Sequence, residues 1–347
     1  MSAPLYAVVL AGGVGSRFWP LSTPERPKQL LPLISDAAML CETIERLEPL
    51  VGLDRVLILT TARLRDAILA ALPAISADQL LLESRPAGTA AALTWAAAEV
   101  VARGGPNARM ICVHADWAIG DAARFRDTLQ QAAAVAAARD ALATVGIVPT
   151  RPDPGFGYIQ PGEFHDDGSR TVARFVEKPD RERAMAMVRD GFLWNSGIFA
   201  WRAQCLLDEV RAVTPELADA LAAVPQGAAA FFAAVTTDLS IDVGVLERSR
   251  RVVVLPGDFG WDDVGTWGAL RRVRALDAQG NATHGRVHAQ EASGNVVHAE
   301  GSTVVLYGVH DLVVIVRDGV TLVTTVERSA DLKPLVNALA ADLRELM

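Results

Sequence analysis

The sequence predicts an α/β fold: a doubly wound, mostly parallel sheet followed by a small β domain. Short runs of Val, Ile and Leu alternate with helical patterns through the first two-thirds of the 347-residue chain. These runs are apolar on both faces, which is typical of parallel strands covered by helices on each side. After about residue 280 the helical patterns give way to short β runs separated by turn residues.

The elements follow from these runs in chain order. Strands are predicted at YAVVLA, RVLILTT, QLLLES, RMICVHA and LATVGIV, and helices near 37–48, 62–72, 89–103 and 121–139. From about 156 the rhythm changes, and GYIQPG and TVARFVEKP are predicted as extended segments around a turn at HDDGS. FLWNSGIFAWR is predicted to form a further strand, and helices are predicted from there to about 248.

The last part of the chain is predicted to be a separate β domain that ends in a helix, LKPLVNALAADLREL. We therefore place the domains at 1–278 and 279–347. Turn residues recur every six to ten positions, as in a solenoid, and a short left-handed β-helix is one form this domain could take. The spacing is too irregular to define a repeat.

Composition excludes several classes of protein. The net charge of −8 gives no basic surplus for a nucleic-acid backbone. Cys41, Cys112 and Cys205 fit neither a disulfide framework nor a zinc pattern. The N-terminal apolar run is too short for a membrane span and lacks a basic leader. We expect a cytoplasmic protein that does not bind membranes.

A glycine loop follows the first predicted strand, in the stretch LAGGVGSRFWPLSTPERPKQ. Glycine N–H groups after a strand are suited to phosphate oxygens, although the spacing fits neither the dinucleotide fingerprint nor a P-loop. Prolines at 20, 24 and 27 disfavour a helix directly after the loop. We expect an extended path that brings Arg17 and Lys28 to the ligand; the alternative is a tight turn with solvated charges.

Acidic residues follow two apolar runs. Asp116 comes after MICVHA, and Asp262 and Asp263 follow VVVLPGDFG and Trp261. Ligands of open α/β sheets bind at the carboxyl ends of strands, where two carboxylates could hold one Mg²⁺. The alternative for Asp262 or Asp263 is to cap the helix predicted near VGTWGALRRV.

The glycine stretch resembles the signature of the sugar-1-phosphate nucleotidyltransferases. Its RFWPLS and RPKQLLPL segments are similar to the mannose-1-phosphate guanylyltransferase branch. Further resemblances follow in family order, and they cover nearly the whole chain: ESRPAGTAAAL, VHAD, GIVPTRPDPGFGYIQ, FVEKP, LWNSGIF, SIDVGVLE and DFGWDDVGTW. The resemblance implies a Rossmann-like nucleotidyltransferase fold.

The resemblance also implies roles for individual residues. Arg17 and Lys28 are the catalytic cations, and Asp116 and Asp263 bind Mg²⁺, which leaves Asp262 as the cap. The residues expected to bind the nucleotide are Leu10, Gly12, Gly13, Gly15, Glu83, Gly88 and Thr89. Those expected to bind the sugar phosphate are Gly157, Glu177, Lys178 and Asn195. Without the resemblance, Glu177 and Lys178 would be interpreted as a surface ion pair.

The implied reaction joins GTP and mannose 1-phosphate to give GDP-mannose and pyrophosphate. A sugar phosphate is already ionised near neutral pH, so positioning and electrostatic stabilisation carry the catalysis. Three alternatives remain open: another NTP, another hexose 1-phosphate, or a non-catalytic paralogue that binds a sugar nucleotide and regulates a partner. The small β domain is expected to support a homodimer.

Overall fold

The computed structural model describes residues 3–13 and 15–340, and its centre is a nine-stranded sheet. The strands before the β domain are β1 (Leu5–Leu10), β2 (Val56–Thr61), β3 (Leu80–Glu83), β4 (Arg109–His114), β5 (Ala118–Ile119), β6 (Leu142–Ile147), β7 (Tyr158–Phe164), β8 (Arg170–Val176), β9 (Leu193–Arg202), β10 (Val252–Gly257) and β11 (Trp261–Asp262). The helices are α1 (Met39–Val51), α2 (Arg65–Ala71), α3 (Gly88–Gly104), α4 (Ala122–Arg139), α5 (Arg181–Arg189), α6 (Ala203–Val213), α7 (Ala218–Ala223), α8 (Ala228–Ala234), α9 (Leu270–Val273) and α10 (Lys333–Ala338).

One half of the sheet is parallel, as the sequence predicts. In the order β3-β2-β1-β4 every neighbouring pair is parallel, and the strand ends meet at one edge. The prediction of a mostly parallel sheet fails in the other half, which runs β9-β6-β10-β8-β7. There β9 lies antiparallel between β4 and β6, and β8 is antiparallel to β7 and β10.

Helices cover both faces of the sheet. Alternate residues of β1 enter different cores: Ala7 and Val9 pack with α1, α2 and α4, whereas Tyr6 and Val8 pack with α3, α6 and α8. Buried apolar surface on both faces stabilises the sheet and explains its continuous Val/Ile/Leu runs. The helix predicted after Asp263 is short, consisting of a 3-10 turn at Trp267–Ala269 followed by α9.

The small β domain contains β12 (Ala282–Gln290), β13 (Val296–Tyr307), β14 (Leu312–Arg317) and β15 (Val320–Thr325). β12, β13 and β14 pair in parallel although few residues connect them, and partners lie 14 to 17 positions apart, as 282 with 296 and 286 with 303. Parallel neighbours so close in sequence require a chain that coils. β15 then reverses and pairs antiparallel with β14. The handedness of a β-helix stays a prediction, as do the domain boundary and the homodimer.

The β domain and the loop after β1 share one apolar core. Phe18, Trp19, Leu21, Leu31 and Leu33 pack in a cluster with buried residues of the β domain, which are Ala282, Val296, Val313, Ile315, Leu322 and Leu332. The helix predicted at LKPLVNALAADLREL corresponds to α10, which ends at Ala338, earlier than predicted; residues 341–346 of that segment lie outside the described residues. Within the described ranges, no helix has the length and apolar character needed to cross a bilayer.

Candidate active site

The glycine loop leads into short turns and not into a long helix, as predicted. Leu10 ends β1, and a 3-10 turn at Ser16–Phe18 is followed by a second at Lys28–Leu30, which we call the lysine turn. Gly15 has a φ of +66°, and a Cβ there would lie 2.3 Å from the Cβ of Lys28. Only glycine lets the loop lie so close to the lysine turn.

The Lys28 ammonium joins the loop to two strand ends. Its Nζ donates to the Asp116 carbonyl at 2.8 Å, to Asp116 Oδ2 at 3.0 Å and to the Asp263 carbonyl at 2.8 Å. Lys28 is only 5% exposed. A buried ammonium is stable only when its N–H groups have acceptors. Its hydrogen bonds therefore fix the lysine turn, the segment at Asp116 and the segment at Asp263 relative to one another.

The two predicted metal carboxylates lie in different electrostatic environments. Burial pushes the pKa of Asp116 up, but the Lys28 ammonium beside it outweighs that effect, and the pKa lies below its usual range. Burial and the neighbouring Asp262 raise the pKa of Asp263. No group of three or more His, Cys, Asp or Glu side chains suited to a metal occurs in the described part of the chain. Two carboxylates are a donor set that Mg²⁺ accepts when phosphates and water complete its shell.

Arg17 lies at the same place. A Cβ on Gly265 would lie 2.7 Å from Asp263 Oδ2 and 3.6 Å from Arg17 Nη1, so both groups face this glycine. Arg17, Lys28, Asp116 and Asp263 line one cavity of about 410 Å³. The cavity thus brings both predicted cations and both predicted carboxylates together.

Asp262 does not line this cavity, and its side chain instead forms hydrogen bonds with neighbouring protein groups. Its Oδ1 accepts from the Val264 N–H at 2.9 Å, and Arg272 donates to both of its oxygens at 2.6 and 2.9 Å. It therefore caps the turn at Val264, not the helix that the sequence predicted. Asp262 ends β11 and Asp263 follows it, and of the two only Asp263 lines the cavity.

All seven residues predicted to bind nucleotide line a second cavity, of about 320 Å³: Leu10, Gly12, Gly13, Gly15, Glu83, Gly88 and Thr89. This cavity shares Gly15, Lys28 and Asp116 with the first, so the two are adjacent. Gln29 supports the loop by donating to the Ala11 carbonyl at 2.8 Å. Their roles in binding stay predictions.

Gly88 and Thr89 line the cavity and also contact the segment at residues 239–241. Gly88 has a φ of +77°, and a Cβ there would lie 2.2 Å from the Leu239 carbonyl oxygen. The Thr89 hydroxyl accepts from the Ile241 N–H at 2.9 Å. These contacts hold the start of α3 against the segment that precedes Asp242.

Three of the four predicted sugar-binding residues converge. A Cβ on Gly157 would lie 2.6 Å from Glu177 Oε2 and 3.4 Å from the Asn195 Cβ. Lys178 differs, because its side chain is 67% exposed and pairs with Glu177 Oε1 at 2.8 Å. That contact is the surface ion pair that the sequence left as an alternative.

Sequence reasoning missed three residues around these pockets. Asp242 accepts from Asn195 Nδ2 at 2.6 Å, and burial raises its pKa to about 6. It opens a π-helical turn, Asp242–Leu246, a feature often found at functional sites. Arg151 lies over the Trp194 ring at 5.0 Å, and Lys333 lines the cavity with Lys28. Asp242 and Arg151 had a sequence signal, because they lie in the SIDVGVLE and GIVPTRPDPGFGYIQ segments.

The family model "Nucleotidyl transferase" matches residues 6–280, which include the loop, the lysine turn and both carboxylates. The chain belongs to the nucleotidyl transferase family. Members of this family and the named relatives are enzymes, and the predicted family is thereby confirmed.

This nucleotidyl transferase is similar to several characterised proteins. A mannose-1-phosphate guanylyltransferase of Escherichia coli K12 is 36% identical over 98% of this chain and 74% of its own length. The alginate biosynthesis protein AlgA of Pseudomonas aeruginosa is 34% identical over 97% and 72%. A crystal structure from Thermus thermophilus, described as a mannose-1-phosphate geranyltransferase, has a TM-score of 0.89 and 34% identity, with coverage of 96% and 98%.

Glu83 offers a test of the cavity's burial. Burial raises its pKa to about 7, so between about pH 4.5 and 7 the folded protein binds more protons than the unfolded chain. The free energy of unfolding therefore falls as pH rises through this window. Glu83→Gln lacks this titration, so its free energy of unfolding should increase relative to that of wild type as pH rises through the window. The full increase is at most about 3 kcal/mol, and screening by water makes it smaller.

Urea denaturation at pH 4, 6 and 8 measures this difference. A Glu83→Gln difference from wild type that stays constant with pH would contradict the burial of Glu83.

Proposed function

We propose that this enzyme transfers a guanylyl group from GTP to α-D-mannose 1-phosphate, giving GDP-mannose and pyrophosphate. The observation that carries the proposal is the shared position of Lys28. Its buried ammonium lies where the glycine-lined cavity meets the cavity of Arg17, Asp116 and Asp263. Relatives named for mannose 1-phosphate and guanylyl transfer, similar over nearly the whole chain, support the choice of substrates.

The nucleotide is assigned to the 320 Å³ cavity. Gly12 and Gly13 are exposed, and backbone N–H groups of such a glycine loop suit phosphate oxygens. Glu83 lies beside Gly12, 3.5 Å from where a Cβ would be, and its ionised carboxylate can accept the two N–H groups of a guanine edge. An arrangement with the base at Glu83 and the triphosphate along the loop brings the phosphates to Lys28.

The hexose is assigned to the group formed by Gly157, Glu177 and Asn195. Asn195 donates to Asp242 and accepts from Thr144 Oγ1 at 3.3 Å, so its amide orientation is set. Glu177 retains an oxygen beside Gly157, where a side chain would clash, and this oxygen can accept sugar hydroxyls. Close backbone approach at Gly157 leaves room for the ring.

The carboxylates of Asp116 and Asp263 would hold Mg²⁺. Two carboxylates fit an ion that binds proteins through few ligands and takes the rest from phosphates and water. When bound, the ion supplies charge stabilisation at the phosphates. This protein's own residues do the remaining work, because Arg17 and Lys28 add positive charge at the same cavity and the glycine loop orients the triphosphate.

The reaction needs positioning more than proton transfer. A phosphate oxygen of the sugar attacks the α-phosphorus of GTP, and the bond from the α-phosphorus to the bridging oxygen breaks as pyrophosphate leaves. The attacking oxygen is already ionised near neutral pH, so no general base is required. Arg17 and Lys28 offset the repulsion between the two anions and the charge that develops on pyrophosphate. No covalent enzyme intermediate is expected.

A substrate panel tests the proposal. Pyrophosphate release is measured for each of the four NTPs with mannose 1-phosphate, glucose 1-phosphate and other hexose 1-phosphates. GTP with mannose 1-phosphate should give the highest kcat/KM. Faster release with another pair would replace the substrates but keep the chemistry. Nucleotide binding without release in any pair would favour a regulatory paralogue and contradict the proposal.

Substitution of Lys28 tests the proposed role of its charge. Lys28→Met keeps an unbranched side chain but removes the ammonium, and turnover should fall at least about tenfold, because the positive charge beside the phosphates is lost. Circular dichroism and thermal unfolding check that the variant folds. Arg17→Ala, at an exposed position, removes the second cation without disturbing the core and should show a similar loss. Turnover near wild type in the Arg17 variant would exclude Arg17 from catalysis.

A further inference from the structure

The small β domain contacts the loop that carries the catalytic cations through a series of polar groups. We call this set the loop-holding network: Arg26, Arg274, His298, Glu300 and Arg317. It reaches the loop on both sides of the lysine turn, at Arg26 before it and at Leu33 after it. Each member is buried or half-buried, so none of these contacts is an exposed surface pair.

Glu300 of β13 holds the segment before the lysine turn. Arg26 donates from Nη1 and Nη2 to the two Glu300 oxygens, both at 3.1 Å. This bidentate geometry fixes the direction of both side chains. Arg317 adds a second cation 3.7 Å from Glu300 and donates to the Leu21 carbonyl at 2.6 Å. The carboxylate therefore organises two arginines that both contact the loop.

Arg274 holds the segment after the lysine turn. Its Nε donates to the Leu33 carbonyl at 2.7 Å, and its Nη2 lies 3.0 Å from His298 Nδ1. A guanidinium can only donate, so Nδ1 of His298 is the acceptor and the proton of the neutral ring lies on Nε2. That nitrogen faces Glu300 Oε1 at 3.4 Å. The contacts thus run from Leu33 through Arg274 and His298 to Glu300 and Arg26.

Two members of the network, His298 and Arg274, each have one charge state near neutral pH. Burial, with the adjacent charges of Arg274 and His284, lowers the pKa of His298 to about 3. Burial lowers the pKa of Arg274 to about 10. His298 is therefore neutral and Arg274 charged, which is the combination that the hydrogen bonds require.

We propose that Glu300 is a positioning residue for catalysis, because it holds Arg26 and so keeps the lysine turn where Lys28 reaches Asp116 and Asp263. Arg26 is two residues before Lys28, and Leu33 is five after it. Small movements of this turn would separate the Lys28 ammonium from acceptors that lie 2.8 to 3.0 Å away. The inference rests on the proposed function, which supplies both the catalytic role of Lys28 and the assay.

The chain offers a matched control pair. Arg248 donates to the two Glu216 oxygens at 2.9 and 3.0 Å, and the two side chains are 32% and 31% exposed. Arg26 and Glu300 are 32% and 28% exposed. The pairs have the same bidentate geometry and similar side-chain exposure, although the Arg248 contacts are exposed and those of Arg26 are partly buried. Neither Arg248 nor Glu216 lines either active-site cavity. Glu216→Ala thus measures the cost of losing such a pair away from the site.

The first readout is steady-state kinetics with GTP and mannose 1-phosphate. Glu300→Ala should lower kcat about tenfold, because a displaced catalytic group loses its transition-state contact, while KM changes less than about threefold. Glu300→Gln keeps the side-chain length and one acceptor, so its kcat should lie between Glu300→Ala and wild type. Glu216→Ala should keep kcat within about twofold. If Glu300→Ala matches Glu216→Ala, the proposal is overturned.

The second readout does not depend on the substrates. Hydrogen exchange reports on the Leu30 and Leu31 amides, which donate to the Pro27 and Lys28 carbonyls. Exchange in residues 18–33 should be faster in Glu300→Ala than in wild type, and unchanged in Glu216→Ala. Unchanged exchange in Glu300→Ala overturns the proposal, as does faster exchange with normal kcat. If wild type shows no turnover, the proposed function fails separately, and exchange still decides whether Glu300 holds the turn.

Discussion

The buried Lys28 ammonium is the group on which the arrangement of the candidate active site depends. An ammonium inside a protein must be compensated, and here the compensation comes from the ends of two sequence-distant strands. Asp116 follows β4 and Asp263 follows β11, so the requirements of one charge fix both relative to the glycine loop. Gly15 makes this possible, because a side chain there would overlap that of Lys28.

The two cavities that meet at Lys28 are lined by different chemical groups. On one side lie backbone N–H groups and the raised-pKa carboxyl of Glu83; on the other lie Arg17 and the two aspartates. The residues proposed to bind the hexose are held by a separate set of contacts, which include the hydrogen bond from Asn195 to Asp242. The small β domain contributes by packing against the loop, so the positions of the proposed catalytic cations depend on residues far away in sequence.

Much of this could be predicted from local sequence. The strands, the helix positions and the absence of a helix after the glycines followed from apolar runs and from the prolines at 20, 24 and 27. The position of β9 could not be predicted, because antiparallel insertion between β4 and β6 is decided by long-range pairing. The sheet was therefore expected to be more parallel than it is.

The candidate site likewise contains residues that the local sequence predicts and residues that it does not. The loop and carboxylates carried signals at strand ends, but the choice between Asp262 and Asp263 depends on Arg272, which contacts Asp262 from ten residues away. Glu300 had no signal at all, because it belongs to no recognisable motif and its partner Arg26, which lies in the RPKQLLPL segment, is 274 residues distant. Contacts of this kind become visible only once the chain is folded.

The most direct test of this account is a crystal structure with GDP-mannose and Mn²⁺, the ion being located by its anomalous signal. The account predicts one metal peak in contact with the carboxylates of Asp116 and Asp263, with the product phosphates between the glycine loop and Lys28. A metal peak that contacts neither carboxylate, with the phosphates away from Lys28, would contradict it.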